Sequence, residues 1–402
     1  MSSFRLKRRK FFDKAFKIIC NVSCVSSFLF LAMFLSVIGI KGFHGLFITK
    51  IQVDLTIPAI ISTKEQQIRE YNQIIKQFLV KTTNIQISDN ELNSIVSIDA
   101  PYQIFNFVNN HPEYLGKKHT FWISSSANVY QYFNTHTHVI LEDDTTQIII
   151  ELVKKDRVAN FFNWQFFVSS DSSEPELAGI GGSILGSLMM IAICFSIAFP
   201  LGVITAIYLE EFAPKNFITK IIEVNISNLS AVPSIVFGLL GMTIFIAFSN
   251  LPRSSALVGG LTLAILILPI IVTTTRQAFS VVSVSIKDAA LALGASKLQI
   301  VFHHSLPIAL PTIVTGAILA ISRALGETAP LIIIGMAAFI TSIPKTIIAP
   351  ATALPVQIYL WSGNPDKIFA EKASLAIVVL LVMLSVINFI AILIRKKYSA
   401  KL

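Results

Sequence analysis

Charge is scarce in this chain. Asp, Glu, Lys and Arg make up 14% of its 402 residues, where a soluble domain carries about 25%. Hydrophobic residues reach 53% and the mean hydropathy is +0.69, which excludes an ordinary water-soluble globule. Cysteine is also scarce. All three, Cys20, Cys24 and Cys194, lie in apolar runs, so no disulfide framework is implied. Cys20 and Cys24 share a helix face one turn apart, which suits packing better than metal binding. No GxxxxGK[ST] loop occurs, so any nucleotide hydrolysis must come from another chain. No catalytic triad, paired-carboxylate site, metal pattern, repeat or low-complexity tract stands out.

What the chain has in quantity is apolar runs. The first 17 residues carry seven Lys or Arg and one Asp. The run that follows, 18–40, meets the roughly 20 residues needed to cross a bilayer and exceeds the core of a secretory signal, about 7–15 residues. It reads as an uncleaved first span with residues 1–17 in the cytoplasm. Residues 41–178 differ in character: they hold 15 acidic and 11 basic residues, a net charge of −4, against +13 for the rest. This segment reads as an extracytoplasmic α+β domain. Lys64–Lys81 is expected to be an amphipathic helix and Thr146–Val153 a buried strand. The aromatic stretch Phe161–Phe167 suits a membrane-interface belt or a domain core equally.

Further apolar runs cover about 182–207, 221–248, 256–275, 308–340 and 374–394 within a membrane domain 179–402. Six spans return the basic segment 395–402 to the cytoplasm, as the positive-inside rule asks; five or seven would not. The expected fold is an all-α polytopic membrane protein with six transmembrane helices and the α+β insertion between helices 1 and 2. The same parity puts loops 208–220 and 276–307 in the cytoplasm. The basic ends are better explained by topology and anionic membrane lipid than by nucleic acid.

The loop 282–307 carries a polar, Ala-rich helix. Ser285, three residues before Asp288, resembles a capping box. Ala289 to Leu293 are strong helix formers, Gly294 would end the helix, and 296–304 would form a second short one. Leu306-Pro307 then opens the next span, with Pro in its first turn. On composition alone this is either a helix resting on the membrane or a docking element. Its spacing resembles the EAA loop of ABC-importer permeases: Glu-Ala-Ala, three residues, Gly, nine residues, Ile, one residue, Leu-Pro. Ala289, Ala290, Gly294, Leu306 and Pro307 match in register, with Asp288 in place of Glu and His304 in place of Ile.

Downstream, Arg323-Ala324-Leu325-Gly326-Glu327-Thr328-Ala329-Pro330 looks like the RAxGETAP signature of phosphate-importer permeases. Tyr208–Pro214, Val232–Gly238 and Leu268–Arg276 resemble the same family, of the PstA type. The resemblance covers about 182–402 and implies a MetI-like permease core. It implies that Asp288, Ala289, Ala290, Gly294, Leu306 and Pro307 couple to an ATPase, and that transport proceeds by alternating access. It also implies partners: a homologous PstC-type permease, a PstB-type ATPase dimer that uses the ATP, and a PstS-type periplasmic phosphate-binding protein. No cofactor would be bound by this chain. The outer segment resembles the larger periplasmic insertion of some PstA-type proteins.

Arg323 and Glu327 carry chemistry of their own. An arginine at the centre of a span costs about 2.5–3.5 kcal/mol on insertion scales. Four residues apart on one helix face, the two neutralise each other, as a structural salt bridge or as the lining of a substrate path. In the second reading Arg323 attracts an anion such as phosphate, charged roughly −1.5 near neutral pH. Glu327 then limits how tightly it is held, Thr328 adds a hydroxyl, and Ser234 lines the break that Pro233 makes in the third span. Arg276 is explained by snorkelling. Glu210 and Glu211 read as solvated, and His303-His304 lack a third metal ligand. Two competing functions remain at this level: a permease for another oxyanion (sulfate, molybdate, phosphonate), and a membrane signalling receptor. A third keeps transport and adds a report to a phosphate-sensing kinase.

Overall fold

A computed structural model of the chain describes residues 2–58, 63–135 and 143–399. A single helix, α1 (Ser2–Gly45), opens it. At 1.5 Å per residue its 44 residues reach about 66 Å, twice a hydrocarbon core of about 30 Å. The basic N-terminal segment is thus the first turns of the helix that carries the apolar run.

Between α1 and the next long helix the described residues form three strands, β1 (Phe47–Thr56), β2 (Lys118–Ser124) and β3 (Val158–Phe162), and six α-helices. The helices are α2 (Lys64–Thr83), α3 (Asp89–Ile95), α4 (Ala100–Asn110), α5 (Ala127–Thr135), α6 (Asp143–Lys154) and α7 (Trp164–Val168). The strands form an antiparallel sheet in the order β2-β1-β3, with Val53 opposite Phe121 and Lys50 opposite Ala159. Ile51, Val53 and Leu55 alternate inward along β1 and meet Ile75 and Leu79 of α2 and Ile104 of α4 in one core. Asp54, on the other face, accepts a hydrogen bond from Thr120 (2.7 Å) and pairs with Arg157 (3.0 Å). The Thr120 hydroxyl and the Arg157 guanidinium hold its carboxyl below the ordinary value of 3.8.

The strand expected over 146–153 is a correction: these residues belong to α6. Ile148, Ile149 and Leu152 are fully buried, the spacing of one helix face, while Glu151 turns outward to Lys154 and Lys155. A short apolar run fits both periodicities; the packing against the core decides.

Among the described residues the membrane part comprises ten α-helices. Seven are α8 (Gly181–Ile207), α9 (Phe217–Leu229), α10 (Ser234–Gly241), α11 (Ala256–Ser280), α12 (Val284–Ala292), α13 (Lys297–Ile300) and α14 (Leu306–Gly326). The others are α15 (Ala329–Leu331), α16 (Leu354–Ser362) and α17 (Lys367–Ser399). Wider π-type turns extend α8 over Tyr208–Phe212 and α10 over Met242–Phe248, and precede α14 over Val301–Ser305. Among the described residues five helices are long and apolar enough to cross a membrane. The pair Phe217–Leu229 and Ser234–Phe248, bent by 104°, is apolar enough when taken together and brings the number to six where it counts as one broken span. Pro233 sits at that bend, where it removes a backbone donor and disfavours helix at the residue before it.

Small residues let these helices approach closely, as membrane interfaces favour. A side chain at Gly316 of α14 would fall 2.3 Å from the Thr274 hydroxyl of α11. The sheet domain is fastened to the ends of α1, α16 and α17. Tyr130 donates to the His44 carbonyl (2.9 Å) and meets Glu371 (3.0 Å), and Trp361 donates to Asp171 (2.9 Å). The buried Lys372 ammonium donates to the Ala178 carbonyl (2.6 Å). Burial pushes the Glu176 carboxyl up. The aromatic stretch 161–167 divides between its two expected roles. Phe166 is buried against Trp361, whereas Phe162 and Trp164 are exposed.

Candidate functional site

Two clusters hold the candidate residues. The first surrounds the breaks in two spans. Helix α14 ends at Gly326, and Glu327 caps it with an extended backbone (φ −78°, ψ 119°). Glu327 therefore stands just past the span rather than inside it, which corrects the expectation of a pair on one helix face. The pair forms all the same, Arg323 Nε donating to Glu327 Oε1 at 3.2 Å. The Arg323 side chain is 39% exposed on this chain and that of Glu327 17%. The guanidinium thus keeps donors free of its partner.

Thr328 precedes the short α15, whose Pro330 packs against Gly238 of α10. A side chain at Gly238 would fall 2.7 Å from Pro330 Cα. Gly238 lies one turn beyond Ser234, the first residue of α10. The fold therefore brings the Pro233 break and the Gly326-Glu327 break onto packed segments. The Ser230 hydroxyl, at the first of these breaks, is buried without a partner. Helix α14 is braced to α17 by Ser322 donating to Asn388 (3.0 Å) and Arg395 donating to Thr315 (3.3 Å).

The second cluster is the loop between α11 and α14. Helix α12 begins after Ser283, not after Ser285. Ser285 lies within the helix and shares a 2.7 Å hydrogen bond with the Ser283 hydroxyl, so the expected capping box at Ser285 and Asp288 is not formed. Gly294 ends the segment at φ +85° with open space around it, a left-handed conformation suited to glycine. A capping box does form at the next turn: Ser296 and Gln299 exchange hydrogen bonds and start α13.

Asp288, Ala289 and Gly294 are exposed, and Ala290 is buried. Leu306 and Pro307 sit apart from them at the start of α14, where Leu306 packs against the cluster that includes Phe279 and Val301. The loop also presents Leu293, 90% exposed, an apolar side chain that composition does not single out.

Ion pairs bind this loop to the spans, which corrects three expectations. Glu211 pairs with Lys287 of α12 (2.6 Å). Arg276, near the end of α11, pairs with Glu210 (3.3 Å) and with Glu223 of α9 (2.9 Å). Arg276 is thus doubly paired rather than simply snorkelling, and Glu210 and Glu211 are partnered rather than solvated. The pairs form because the π-type turn after α8 lies beside α9, α11 and α12. That adjacency is tertiary and has no signature in sequence. His303 bonds back to the Gln299 carbonyl (3.2 Å), and among the described residues no group of three or more His, Cys, Asp or Glu could hold a metal ion.

Residues 198–402 match the model of the family described as "binding-protein-dependent transport system inner membrane component". Residues 3–140 match a domain of unknown function, DUF3333. The phosphate transport system permease protein PstA of Yersinia pestis is 33% identical over 223 residues, 56% of this chain and 73% of that protein. The probable ABC transporter permease protein YqgI of Bacillus subtilis is 32% identical over 226 residues, 53% of this chain and 76% of that protein. Among solved structures, a chain of the inward-facing MetNI methionine ABC transporter aligns at 19% identity and a TM-score of 0.41. That alignment covers 55% of this chain and 95% of that one.

Proposed function

The chain belongs to the family of binding-protein-dependent transport system inner membrane components, and from that premise we propose that it is the permease subunit of a bacterial phosphate ABC importer. It is a multi-pass protein of the inner membrane and works with an ATPase and a binding protein. The observation that carries the substrate is the similarity to PstA permeases over more than half of the chain, beside a family match over residues 198–402 that includes both broken spans and the exposed loop.

The finer assignments follow physically. With the N-terminus of α1 and the C-terminus of α17 in the cytoplasm, the loop around α12 faces the ATPase and the sheet domain faces the periplasm. Asp288, Ala289 and Gly294 present a small-residue surface that lets another backbone come close, with Ala290 and the Leu306-Pro307 turn holding it from behind. Energy comes from ATP hydrolysed on a PstB-type dimer, a PstC-type permease completes the path, and a PstS-type protein delivers phosphate outside.

In the path, the donors of Arg323 not taken by Glu327 attract the anion. Glu327 competes for the same guanidinium, so the anion is held weakly enough to leave. Thr328 and Ser234, at the two packed breaks, supply hydroxyls where a continuous helix would offer none. Alternating access moves these breaks relative to the partner permease.

The test is reconstitution of the four-component complex in proteoliposomes with the binding protein and labelled phosphate outside and ATP within. The expected result is uptake that stops when ATP is withheld or the ATPase is left out. Uptake no greater than in empty liposomes would sink the proposal.

A further inference from the structure

Helix α12 touches the rest of its own chain sparingly. Val284, Ile286, Asp288, Ala289, Leu291 and Ala292 are exposed, and Ala290 is its buried residue. Lys287 lies one turn before Ala290, hence on the same face. Its ammonium donates to Glu211 Oε1 at 2.6 Å, with 22% and 12% of the two side chains exposed. Among the described residues this is the ion pair that joins α12 to another element. Glu211 belongs to the turn that continues α8. The neighbouring residue, Glu210, is held by Arg276, which also holds Glu223. A chain of charges thus runs from α12 to the end of α8, and from there to α11 and α9. Helix α9 leads into the Pro233 break.

We infer that Lys287–Glu211 is the strut through which displacement of α12 is delivered to the spans. The inference rests on the functional reading above and adds the positioning residues to it. The geometry separates two jobs on one short helix. The outward residues Asp288 and Ala289 are free to meet the ATPase, while Lys287 points inward. Without the ion pair, α12 is left with Ala290, its covalent ends and the neighbouring short turns, so it can move with the ATPase while α8 stays behind. A partly buried pair suits this better than an exposed one, which solvent and salt weaken. A charge pair also holds a distance while allowing the rotation that an interlocked apolar contact resists.

The experiment uses the complete complex in proteoliposomes and reads three quantities: subunit stoichiometry after purification, ATP hydrolysis, and labelled phosphate taken up per ATP hydrolysed. Lys287→Gln and Glu211→Gln each leave the stoichiometry unchanged and lower uptake per ATP at least about fivefold, the low end of coupling between two sites. The exchanged pair, Lys287→Glu with Glu211→Lys, restores most of the ratio, and Lys287→Arg retains it. A Lys287→Gln complex that transports as many phosphates per ATP as the wild type overturns the inference. So does an exchanged pair no better than its single variants while all complexes assemble. A wild-type complex that hydrolyses ATP without moving phosphate refutes the functional reading instead, so the two failures are told apart.

Discussion

The sheet domain, proposed to be the outer domain, and the membrane part use the same residues to opposite ends. In the outer domain Ile51, Ile75, Leu79, Ile95 and Ile148 are wholly buried around a three-stranded sheet, as in any protein that has water for a solvent. In α1, Phe28 and Phe30 are 71% and 73% exposed, because lipid or a neighbouring helix is their solvent. Polar groups invert as well. Those of the outer domain, such as Asp54 and Arg157, pair across a sheet surface. Those of the membrane part gather where helices break or end, at Arg323–Glu327 and at Arg276, Glu210, Glu211 and Lys287. The sheet domain is held by its core; the membrane part gathers its charged pairs where helices break or end.

The largest expected effect falls on the membrane side. Arg323→Gln removes the charge at the break while leaving the helices packed. Phosphate uptake should fall roughly 100-fold, the order seen when one charge-stabilising donor is removed from a reaction path, with the complex still assembling. Wild-type uptake would reduce Arg323–Glu327 to a structural pair and erase half of the contrast.

Next, Leu79→Ala should destabilise the outer domain by about 2–5 kcal/mol, as large-to-small core changes do. Phe30→Ala, also a loss of apolar volume but on an exposed face of α1, should shift unfolding by less than about 1 kcal/mol. Thermal unfolding in detergent, followed by protease sensitivity of the outer domain, reads both. Equal shifts would mean that the two regions do not differ in how they are held.

A smaller effect is expected at the loop. Gly294→Leu forces a side chain onto a left-handed backbone at a cost of about 1–2 kcal/mol, although open space surrounds the site. ATPase recovered by co-purification should drop several-fold, and unchanged recovery would detach Gly294 from coupling.

The smallest change is Asp54→Asn, worth about 1 kcal/mol. Asp54 is held below its ordinary value of 3.8 by Thr120 and Arg157. Its contribution is therefore present above that value and is lost as pH falls through the lower folded value. Acid unfolding of the outer domain should lose part of its pH dependence below about pH 4 in the variant. An acid limb identical to wild type would contradict the assignment.

Much of this architecture was legible because its signals are local. Apolar length marks the spans, Pro233 marks the 104° bend, and Gly294 marks the end of α12. Where tertiary packing decides, the sequence misleads. The apolar run of α6 satisfied a strand pattern until the burial of Ile148, Ile149 and Leu152 on one face settled it as helix. Ser285 had the spacing of a cap, yet Ser283 precedes the helix. The site divides in the same way. Arg323 and Glu327 stood out as charges in an apolar stretch. Glu210, Glu211 and Arg276 read as solvated or snorkelling charges because the Arg276–Glu210 and Lys287–Glu211 partners lie 66 and 76 residues apart in the chain.

Phosphate as the cargo of the membrane part is the central claim. The direct measurement is uptake of labelled phosphate by the reconstituted complex, with a hundredfold excess of unlabelled phosphate or of unlabelled sulfate outside as competitor. Unlabelled phosphate should suppress the signal and sulfate should leave it intact. Suppression by sulfate, or labelled sulfate entering at the phosphate rate, would contradict that claim.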